Sequence, residues 1–545
     1  MKKSKFFLLL SFSLVLSMFL AACGTGDNAD KGAKEREGSN VAQNLRININ
    51  SEPPSLNPGL AEDSTSGTVL RNVLEGLTRI GQEGTPENAM AEDVQVSEDQ
   101  KTYTFKIRDA QWSNGDPVIA QDFEYAWKWA LDPANQSTYA YQLYYIEGAE
   151  AANTGGGSLD AVGVKALDDK TLEVKLVNPT PYFLELTAFY TYLPVNSKIV
   201  KENPDWSTDA GENFTTNGPF HLTEWAHSDK ITLEKSETYW DAENVKLETI
   251  EMIMVNDPNT ELSMFENGEL DWAGAPTGAL PTDAMQALKD EGRLTTQSIA
   301  GIYNYKLNTT VEPLNNVNIR KALALSINRQ DIIDNILQGE QQPATALVPT
   351  TMFPENEEGY FTDNDVEKAK EFLQKGLEEL GYKDVSELPA ITLSYNTSEA
   401  HQKIAQAVQD MWTQSLGIEV TLDNSEWNVF LDKVNQLDYQ IARMGWLGDF
   451  NDPINFLEAY RDAEGGNNNT GWESAEFKEL LAKSSTETDP EARQQLLKDA
   501  EAVFMEDMPV IPIYFYTNNW VQSENLKDVV VSGLGDVQYK WAHFE

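Results

Sequence analysis

Cysteine and histidine, which most often mark redox, metal and hydrolytic sites, are almost missing from this 545-residue chain. Its one cysteine allows no disulfide and no paired-cysteine metal site. None of the four histidines belongs to an HExxH pattern, and the sequence has no Gly-x-Ser-x-Gly turn or Walker loop. His221 and His227 lie six positions apart around Glu224, a poor spacing for zinc. The sequence therefore predicts no cofactor, no metal and no enzymatic activity.

Basic residues are also scarce: 41 Lys and Arg stand against 87 Asp and Glu, which gives a formal net charge of -46. This excess argues against nucleic acid as a partner, because phosphates need a basic face. It also disfavours electrostatic adhesion to anionic lipid. The acidic residues are spread along the chain, so we interpret them as a solvated surface. Attraction of cationic ligands is the alternative, and salt screens it beyond roughly 8–10 Å.

Long apolar runs are absent except near the amino terminus, where a lysine-rich opening is followed by an uncharged run from Phe6 to Leu20. This run is too short for a comfortable membrane span but typical of a secretory signal. Small residues then precede Cys23, as in lipoprotein cleavage sites. We predict a signal peptide over residues 1–22 and lipidation at Cys23; an ordinary signal peptide or a short anchor is the alternative.

A polar segment over residues 23–43 follows, with too little apolar surface to order itself, and predicts a flexible tether. About 500 residues remain, enough for two or three domains. Alternating residues predict strands at Leu45–Ile49 and Tyr103–Ile107, and helical spacing predicts a helix over Asp122–Leu131. Gly155–Gly157 indicates a loop and lacks the lysine of a phosphate site.

Residues 391–457 show the clearest alternation of elements. Ile391–Tyr395 predicts a strand, Ser398 an N-cap, Gly417 a helix stop, and Ile418–Leu422 the next strand. A short helix from Trp427 then leads into a strand over residues 440–446. This cycling predicts an α/β fold, in which ligands bind beyond the ends of strands.

Several motifs occur in a fixed order along the chain. They are Trp112–Val118 with Asp122-Phe123, Thr216–Phe220, Tyr239-Trp240, Gly268–Asp271, Val317–Leu323 and Arg443–Pro453. Together they resemble the family 5 extracellular solute-binding proteins, and most closely the oligopeptide receptors of ABC importers.

The resemblance implies a two-lobed, periplasmic-binding-protein-like α/β fold with an extra domain, which closes over its ligand by a hinge. It implies one discontinuous domain over residues 44–74, 199–300 and 517–545. A second domain covers residues 75–198, and a third covers residues 301–516.

Asp449 matches the position where this family holds the amino terminus of a peptide. A buried ammonium needs such a carboxylate, because an unpaired buried charge costs several kcal/mol. A turn or helix-capping aspartate before Asp452-Pro453 is the alternative from local sequence.

Arg443 and His401 are the candidates for the peptide's carboxylate. Arg443 lies in an otherwise apolar strand, so either an internal acid or a ligand carboxylate has to face it. His401 falls in the first turn of its predicted helix, where the helix dipole favours an anion. A surface or core histidine is the usual alternative.

The remaining candidates follow from the resemblance. Trp427, Trp446 and Tyr139 match aromatic positions of the family's cleft, Gly445 lies beside Trp446, and Glu62 matches a position beside the ligand. Ordinary core packing is the alternative for each aromatic residue. Positions that are basic or aromatic in relatives are occupied by other residues here: Leu337, Val434, Ile299 and Asn304. We therefore expect no inherited preference for one peptide length.

The resemblance implies a monomeric receptor, lipid-anchored to the membrane on its outer side, that delivers short peptides to the permease subunits of an ABC importer. Two alternatives remain open at this point. One is the same fold with another ligand, such as a nickel chelate, haem, a sugar or a signalling peptide; the other is a secreted hydrolase.

Overall fold

The computed structural model describes residues 41–545. The predicted signal peptide, Cys23 and most of the predicted tether lie outside the described residues, and residues 42–545 form one compact unit. In the part of the chain that the structure covers, no helix is both long and apolar enough to cross a membrane.

The strands are listed here in chain order. They are β1 (Asn44–Asn48), β2 (Thr78–Ile80), β3 (Pro86–Asn88), β4 (Ala91–Val96), β5 (Thr102–Ile107), β6 (Val164–Asp168), β7 (Thr171–Lys175), β8 (Phe220–Ala226), β9 (Lys230–Lys235), β10 (Thr249–Ile253), β11 (Trp272–Gly274), β12 (Thr295–Leu307), β13 (Gln342–Pro343), β14 (Ile391–Asn396), β15 (Val420–Ser425), β16 (Ile441–Leu447), β17 (Val510–Gln522), β18 (Leu526–Lys527), β19 (Val530–Val531), β20 (Val537–Gln538) and β21 (His543–Phe544).

The α-helices connect and cover these strands. They are α1 (Ser64–Val73), α2 (Ala120–Leu131), α3 (Ala149–Asn153), α4 (Phe183–Leu186), α5 (Ser197–Glu202), α6 (Pro258–Glu266), α7 (Met285–Asp290), α8 (Val317–Leu325), α9 (Arg329–Ile332), α10 (Val366–Leu380), α11 (Glu399–Leu416), α12 (Trp427–Asn435), α13 (Ile454–Glu458), α14 (Ala475–Ser484) and α15 (Pro490–Asp507).

The strands form three main sheets. One has the order β1-β10-β9-β8, with β1 and β10 parallel, and another is the antiparallel sheet β4-β5-β7-β6. The largest has the order β11-β17-β12-β16-β14-β15, with β13 added to β17. Because β14 is parallel to both β15 and β16, this part of the sheet has the predicted α/β alternation.

Local sequence signals set the ends of α11. The hydroxyl of Ser398 accepts a hydrogen bond from the amide of His401, which satisfies one free N–H of the first turn. Gly417 ends the helix in the left-handed conformation at φ 71°, which favours glycine. Ile404, Val408 and Trp412 are buried on one face. The predicted cap and stop are confirmed.

The other predicted elements are also present, with small shifts at their ends. The strand predicted over Leu45–Ile49 runs from Asn44 to Asn48, and the helix predicted from Asp122 begins at Ala120. The strand predicted from Ile418 begins two residues later, at Val420. Ile418 is instead used at the helix end, where its amide donates to the carbonyl of Trp412.

Candidate functional site

A cavity among the described residues measures about 470 Å³, within the range of small-molecule sites. Its wall is built from α1, the segments after β1, α4, β10 and β11, the amino end of α11, α12 and the strands β12, β16 and β17. Every predicted binding residue lines it: Glu62, Tyr139, His401, Trp427, Arg443, Gly445, Trp446 and Asp449. The structure thus brings together residues that lie up to 387 positions apart in the chain (449 minus 62).

One edge of β16 is open towards this cavity. Along one side, β16 pairs with β12 over the whole length of β16, from Ile441 to Leu447. On the other side, β14 pairs only with Ile441 and Ala442, and no strand of the described chain continues this pairing. The backbone groups beyond Ala442 are therefore available to another extended chain.

Asp449 lies just beyond the end of β16 and has no ion-pair partner within residues 41–545. Its Oδ2 accepts hydrogen bonds from Gln142 Nε2 at 2.7 Å and from Asn455 Nδ2 at 3.1 Å. Burial raises the pKa of the Asp449 carboxyl to about 7, and these two hydrogen bonds only partly oppose that rise. Among the described residues, no cation forms an ion pair with this carboxylate.

A second carboxylate in the wall does have its own cation. Asp536 pairs with Arg71 at 2.8 Å, and both side chains are largely buried. Arg71 is therefore already engaged, and the group of Arg71, Asp536 and Asp449 carries one excess negative charge when ionised. Burial and the nearby Asp536 charge both favour the protonated form of Asp449, while Arg71 favours its ionised form.

Arg443 lines another part of the cavity and lacks an acidic partner. Its Nη2 donates to Tyr516 Oη at 2.8 Å, its Nη1 donates to Asn396 Oδ1 at 3.4 Å, and its guanidinium lies 4.6 Å from the ring centre of Tyr303. Nε is buried without a hydrogen-bond partner. No carboxylate of the described residues lies within ion-pair distance, so the internal-acid alternative has no support in this structure.

His401 lies next to Arg443 in the wall. Burial, and secondarily the positive charge of Arg443, lowers the pKa of His401 well below its usual value. The imidazole is therefore neutral at pH 7 and contributes hydrogen bonding rather than charge. The charge of Arg443 and the first turn of α11 nevertheless make this the electropositive part of the cavity, opposite in character to the surroundings of Asp449.

Gly445 allows Tyr516 to pack against β16. A Cβ atom placed on Gly445 would lie 2.5 Å from Tyr516 Oη, the atom that accepts the hydrogen bond from Arg443. Gly445 is therefore required for a close approach. Its backbone φ is not in the left-handed region.

The aromatic candidates form two parts of the wall. Trp446 and Tyr139 are stacked, with ring centres 6.2 Å apart and an angle of 13° between the planes. Trp427 lies on α12, and its Nε1 donates to Asp63 Oδ2 at 2.8 Å. Glu62 accepts a hydrogen bond from Asn435 at 3.1 Å. These two hydrogen bonds join α12 to the residues just before α1.

The four positions that depart from relatives divide into two classes. Leu337 and Ile299 line the cavity as apolar residues. Val434 and Asn304 are buried but are not part of its wall, and Asn304 Oδ1 has no hydrogen-bond partner.

Sequence reasoning missed Asn455, a fully buried residue on α13. Its Oδ1 accepts from the amide of Asp449 at 2.9 Å and from Trp446 Nε1 at 3.1 Å, while its Nδ2 donates to the Asp449 carboxyl. One amide thus fixes both the carboxylate and the aromatic wall. The only local signal is the position of Asn455 after Asp452-Pro453, which also suits an ordinary helix start.

Replacing Asn455 by alanine should therefore lower the free energy of unfolding by about 1–3 kcal/mol, because three buried groups lose a partner. The pKa of Asp449 should rise further, since the lost hydrogen bond favours its ionised form. Denaturant unfolding and the ¹³C shift of the labelled Asp449 carboxyl measure the two effects. Asn451→Ala, at an exposed asparagine of the same loop whose hydrogen bond uses only its backbone amide, serves as the control and should change neither quantity. An unchanged Asp449 pKa in Asn455→Ala would contradict this role.

Glu458, like Asp449, is a carboxyl whose pKa is raised by desolvation. Glu458 is partly buried and accepts a hydrogen bond from Tyr145 Oη at 2.5 Å; desolvation raises its pKa to about 8. In the described part of the chain, no group of three or more His, Cys, Asp and Glu side chains is arranged to hold a metal ion.

Comparison with known proteins places this architecture. Residues 85–468 match the model of the bacterial extracellular solute-binding proteins, family 5 Middle. The chain is 60% identical over 540 residues to the oligopeptide-binding protein OppA of Bacillus subtilis, with 98% of this chain and 99% of the relative covered.

Solved structures show the same fold. The chain matches Haemophilus influenzae OppA in complex with RPPGFSPFR with a TM-score of 0.86 and 31% identity, covering 92% of this chain and 99% of that one. The unliganded open form of the murein tripeptide-binding protein MppA matches with a TM-score of 0.63 and 30% identity, covering 92% and 98%. The predicted two-lobed α/β fold is confirmed, and the chain belongs to the family 5 bacterial extracellular solute-binding proteins.

Proposed function

We propose that this protein binds short peptides outside the cytoplasm and delivers them to an ABC importer. The observation that carries the proposal is the pair of uncompensated charges in one cavity: Asp449 without a cation, and Arg443 without an anion. A peptide is a ligand with an ammonium at one end and a carboxylate at the other. The relatives, an oligopeptide-binding protein and a solved peptide complex, support the same class of ligand.

The open edge of β16 can bind the backbone, which all peptides share. From Arg443 to Asp449 an extended chain spans roughly 20 Å, at about 3.3 Å per residue. A peptide lying along this edge would form main-chain hydrogen bonds that do not depend on its side chains. The aromatic walls of Trp446, Tyr139 and Trp427 add contact area at low conformational cost. Because the hydrogen bonds go to the peptide backbone and the aromatic walls add contact area, peptides of different sequence can bind.

Binding proceeds by closure of two lobes in our proposal. β12 and β17 are long strands that run through the large sheet, and their register shifts between Ser298 and Ile302. This irregularity lies at the boundaries proposed for the domains, at residues 300/301 and 516/517, and suits a hinge. The higher structural similarity to a peptide complex than to an unliganded open form supports reading this structure as closed.

The location and partners belong to the same proposal. We infer lipid attachment at Cys23, a monomer on the outer side of the membrane, and transfer of the peptide to permease subunits. The relatives are solute-binding proteins rather than enzymes, and we extend that to this chain.

Peptide affinity should fall as the pH is lowered from 7 to 5. The pKa of Asp449 is about 7 without ligand, and a bound ammonium would lower it, so binding below pH 7 has to release a proton. The limit is about tenfold per pH unit. Above pH 8 affinity should fall again, because the peptide amino group, with a pKa of about 7.7–8.0, loses its charge.

Calorimetry between pH 5 and 9, in buffers of different ionisation enthalpy, measures both the affinity and the released proton. Glu458, Asp536 and His401 also titrate near the site, so the Asp449→Asn protein is the control and should lose most of the slope below pH 7. Tighter binding at pH 5 than at pH 7 would contradict the ion pair.

The direct test of the function is to identify what co-purifies. Native mass spectrometry of the secreted protein, followed by denaturation and sequencing of the released molecules, should give peptides with free amino termini. Refolded, ligand-free protein should then bind synthetic peptides stoichiometrically and leave them uncleaved. A bound sugar, haem or metal chelate, together with no binding of any peptide, would overturn the proposal; cleaved peptides would make it an enzyme.

A further inference from the structure

One end of the cavity contains a hydrogen-bonded chain of four side chains between the buried amine of Lys306 and the partly buried carboxyl of Glu62. Lys306 Nζ donates to Asn469 Oδ1 at 2.8 Å, Asn469 Nδ2 donates to Asn435 Oδ1 at 3.1 Å, and Asn435 Nδ2 donates to Glu62 Oε1 at 3.1 Å. All four residues line the cavity. We call this end, formed by Lys306, Asn469, Asn435 and Glu62, the relay pocket.

Lys306 is 3% exposed, and within residues 41–545 no carboxylate lies at ion-pair distance from it. Its Nζ uses two of three donors, on Asn469 and on the carbonyl of Asn467 at 2.5 Å, and lies 5.7 Å from the ring centre of Tyr460. Burial lowers the pKa of Lys306 to about 7, although the charge of Glu62 opposes that shift. A buried amine with a spare donor is thus part of the cavity wall.

Glu62 provides the matching acceptor. Its Oε2 is buried and has no hydrogen-bond partner. The hydroxyl of Thr138 is close enough to lower the pKa of Glu62 somewhat, but it lies outside hydrogen-bond geometry. Burial is the larger effect and raises the pKa of this carboxyl. A buried acceptor without a partner in a ligand cavity indicates that the ligand supplies the donor.

Lys306 has an unused hydrogen-bond donor, whereas Glu62 has an unused acceptor. A cationic ligand side chain would satisfy Glu62 but meet the buried amine of Lys306, and an anionic one would meet Glu62. An apolar side chain would leave both groups unsatisfied. A neutral group that donates and accepts at once avoids all three costs, and the primary amide has both functions in one plane.

We propose that the relay pocket selects peptides with an uncharged donor–acceptor side chain, best fitted by glutamine or asparagine, through Lys306 and Glu62. This selectivity rests on the proposed peptide-binding function. It adds one specific position to a receptor that otherwise reads the backbone and the ends of its ligand. The chain of two asparagines holds the amine and the carboxyl apart, so that they do not satisfy each other.

The test is a position scan by calorimetry with alanine peptides of three to six residues. At each position alanine is replaced in turn by glutamine, methionine, glutamate and lysine, with the wild-type protein. One position is expected to bind glutamine at least about tenfold more tightly than methionine, which has a similar size, because methionine leaves both Lys306 and Glu62 without the ligand partner. Glutamate and lysine should also bind more weakly than glutamine there.

Two variants reverse the charge preference in opposite directions. Lys306→Met should raise the affinity for the lysine peptide relative to glutamine, and Glu62→Gln should do so for the glutamate peptide. Thermal unfolding and the circular-dichroism spectrum check that each variant is folded. Equal affinity for glutamine and methionine at every position overturns the relay pocket, as does a charge preference that neither variant changes. If no alanine peptide binds the wild-type protein, the peptide-binding function itself fails.

Discussion

Replacing Asp449 by asparagine is expected to weaken the binding of peptides with a free amino terminus by about 2–5 kcal/mol. Asparagine has nearly the same shape and can keep a hydrogen bond from Gln142 or Asn455, so the change removes mainly the charge. Of the described carboxylates at this end of the cavity, Asp536 is paired with Arg71, whereas Asp449 has no cation partner. A buried ligand ammonium would therefore lose its only full counter-charge in Asp449→Asn. Isothermal titration calorimetry at pH 7.5 measures the effect.

The matched experiment removes the other partner of the pair. N-acetylated peptides should bind the wild-type protein weakly and lose little more in Asp449→Asn, which gives a coupling energy in a double-mutant cycle. Glu399→Gln is a control at a cavity carboxylate that already has a cation, Lys403 at 2.7 Å, and should not weaken binding. A loss below about 0.5 kcal/mol in Asp449→Asn would place the carboxylate at a solvated rim instead.

The same substitution should stabilise the unliganded protein. The folded-state pKa of Asp449, about 7, lies above the ordinary value of 3.8, so the folded protein holds this proton to higher pH than the unfolded chain does. The resulting destabilisation grows as the pH rises from about 4 and is complete above about 7. At pH 8 Asp449→Asn should therefore be the more stable protein without ligand, while at pH 4 the difference should vanish.

Much of the frame of this site follows from local sequence. Ser398 and Gly417 fix the two ends of α11 by capping and by left-handed backbone, and both effects act within a few residues. Alternation of apolar residues placed β14 and β16 in the same way. The candidate residues themselves came from matched motifs, and the structure places all eight in one cavity wall.

Partners that come from distant parts of the chain had no local signal. Gln142 lies 307 positions before Asp449, and Asn435 lies 373 positions after Glu62. Lys306 is one residue in an alternating strand, where a lysine ordinarily faces solvent. Its burial depends on which elements pack over β12, and that is a property of the tertiary fold. The relay pocket was therefore beyond reach of sequence reasoning.

Replacing Arg443 by methionine is expected to weaken the binding of peptides with a free carboxylate by about 2–5 kcal/mol, if that carboxylate reaches the electropositive part of the cavity. Methionine fills similar space without charge, and His401 cannot compensate, because its lowered pKa leaves it neutral at pH 7. The corresponding peptide amides should bind the wild-type protein less tightly and lose little in Arg443→Met. Calorimetry with acid and amide forms of peptides from three to six residues measures this coupling.

Peptide length decides where that coupling appears, and this makes the Arg443 experiment a measurement of the cavity. A fully extended chain as long as the segment from Arg443 to Asp449, which lies two residues beyond the end of β16, spans roughly 20 Å. A peptide held at Asp449 therefore brings its carboxylate to the guanidinium only at certain lengths. Coupling at one or two neighbouring lengths would mean a fixed anion site; Arg443→Lys should then restore only part of the affinity, because lysine cannot form the same planar contacts. If no length shows coupling, Arg443 serves to order Tyr303 and Tyr516, and Arg443→Met should instead destabilise the unliganded protein.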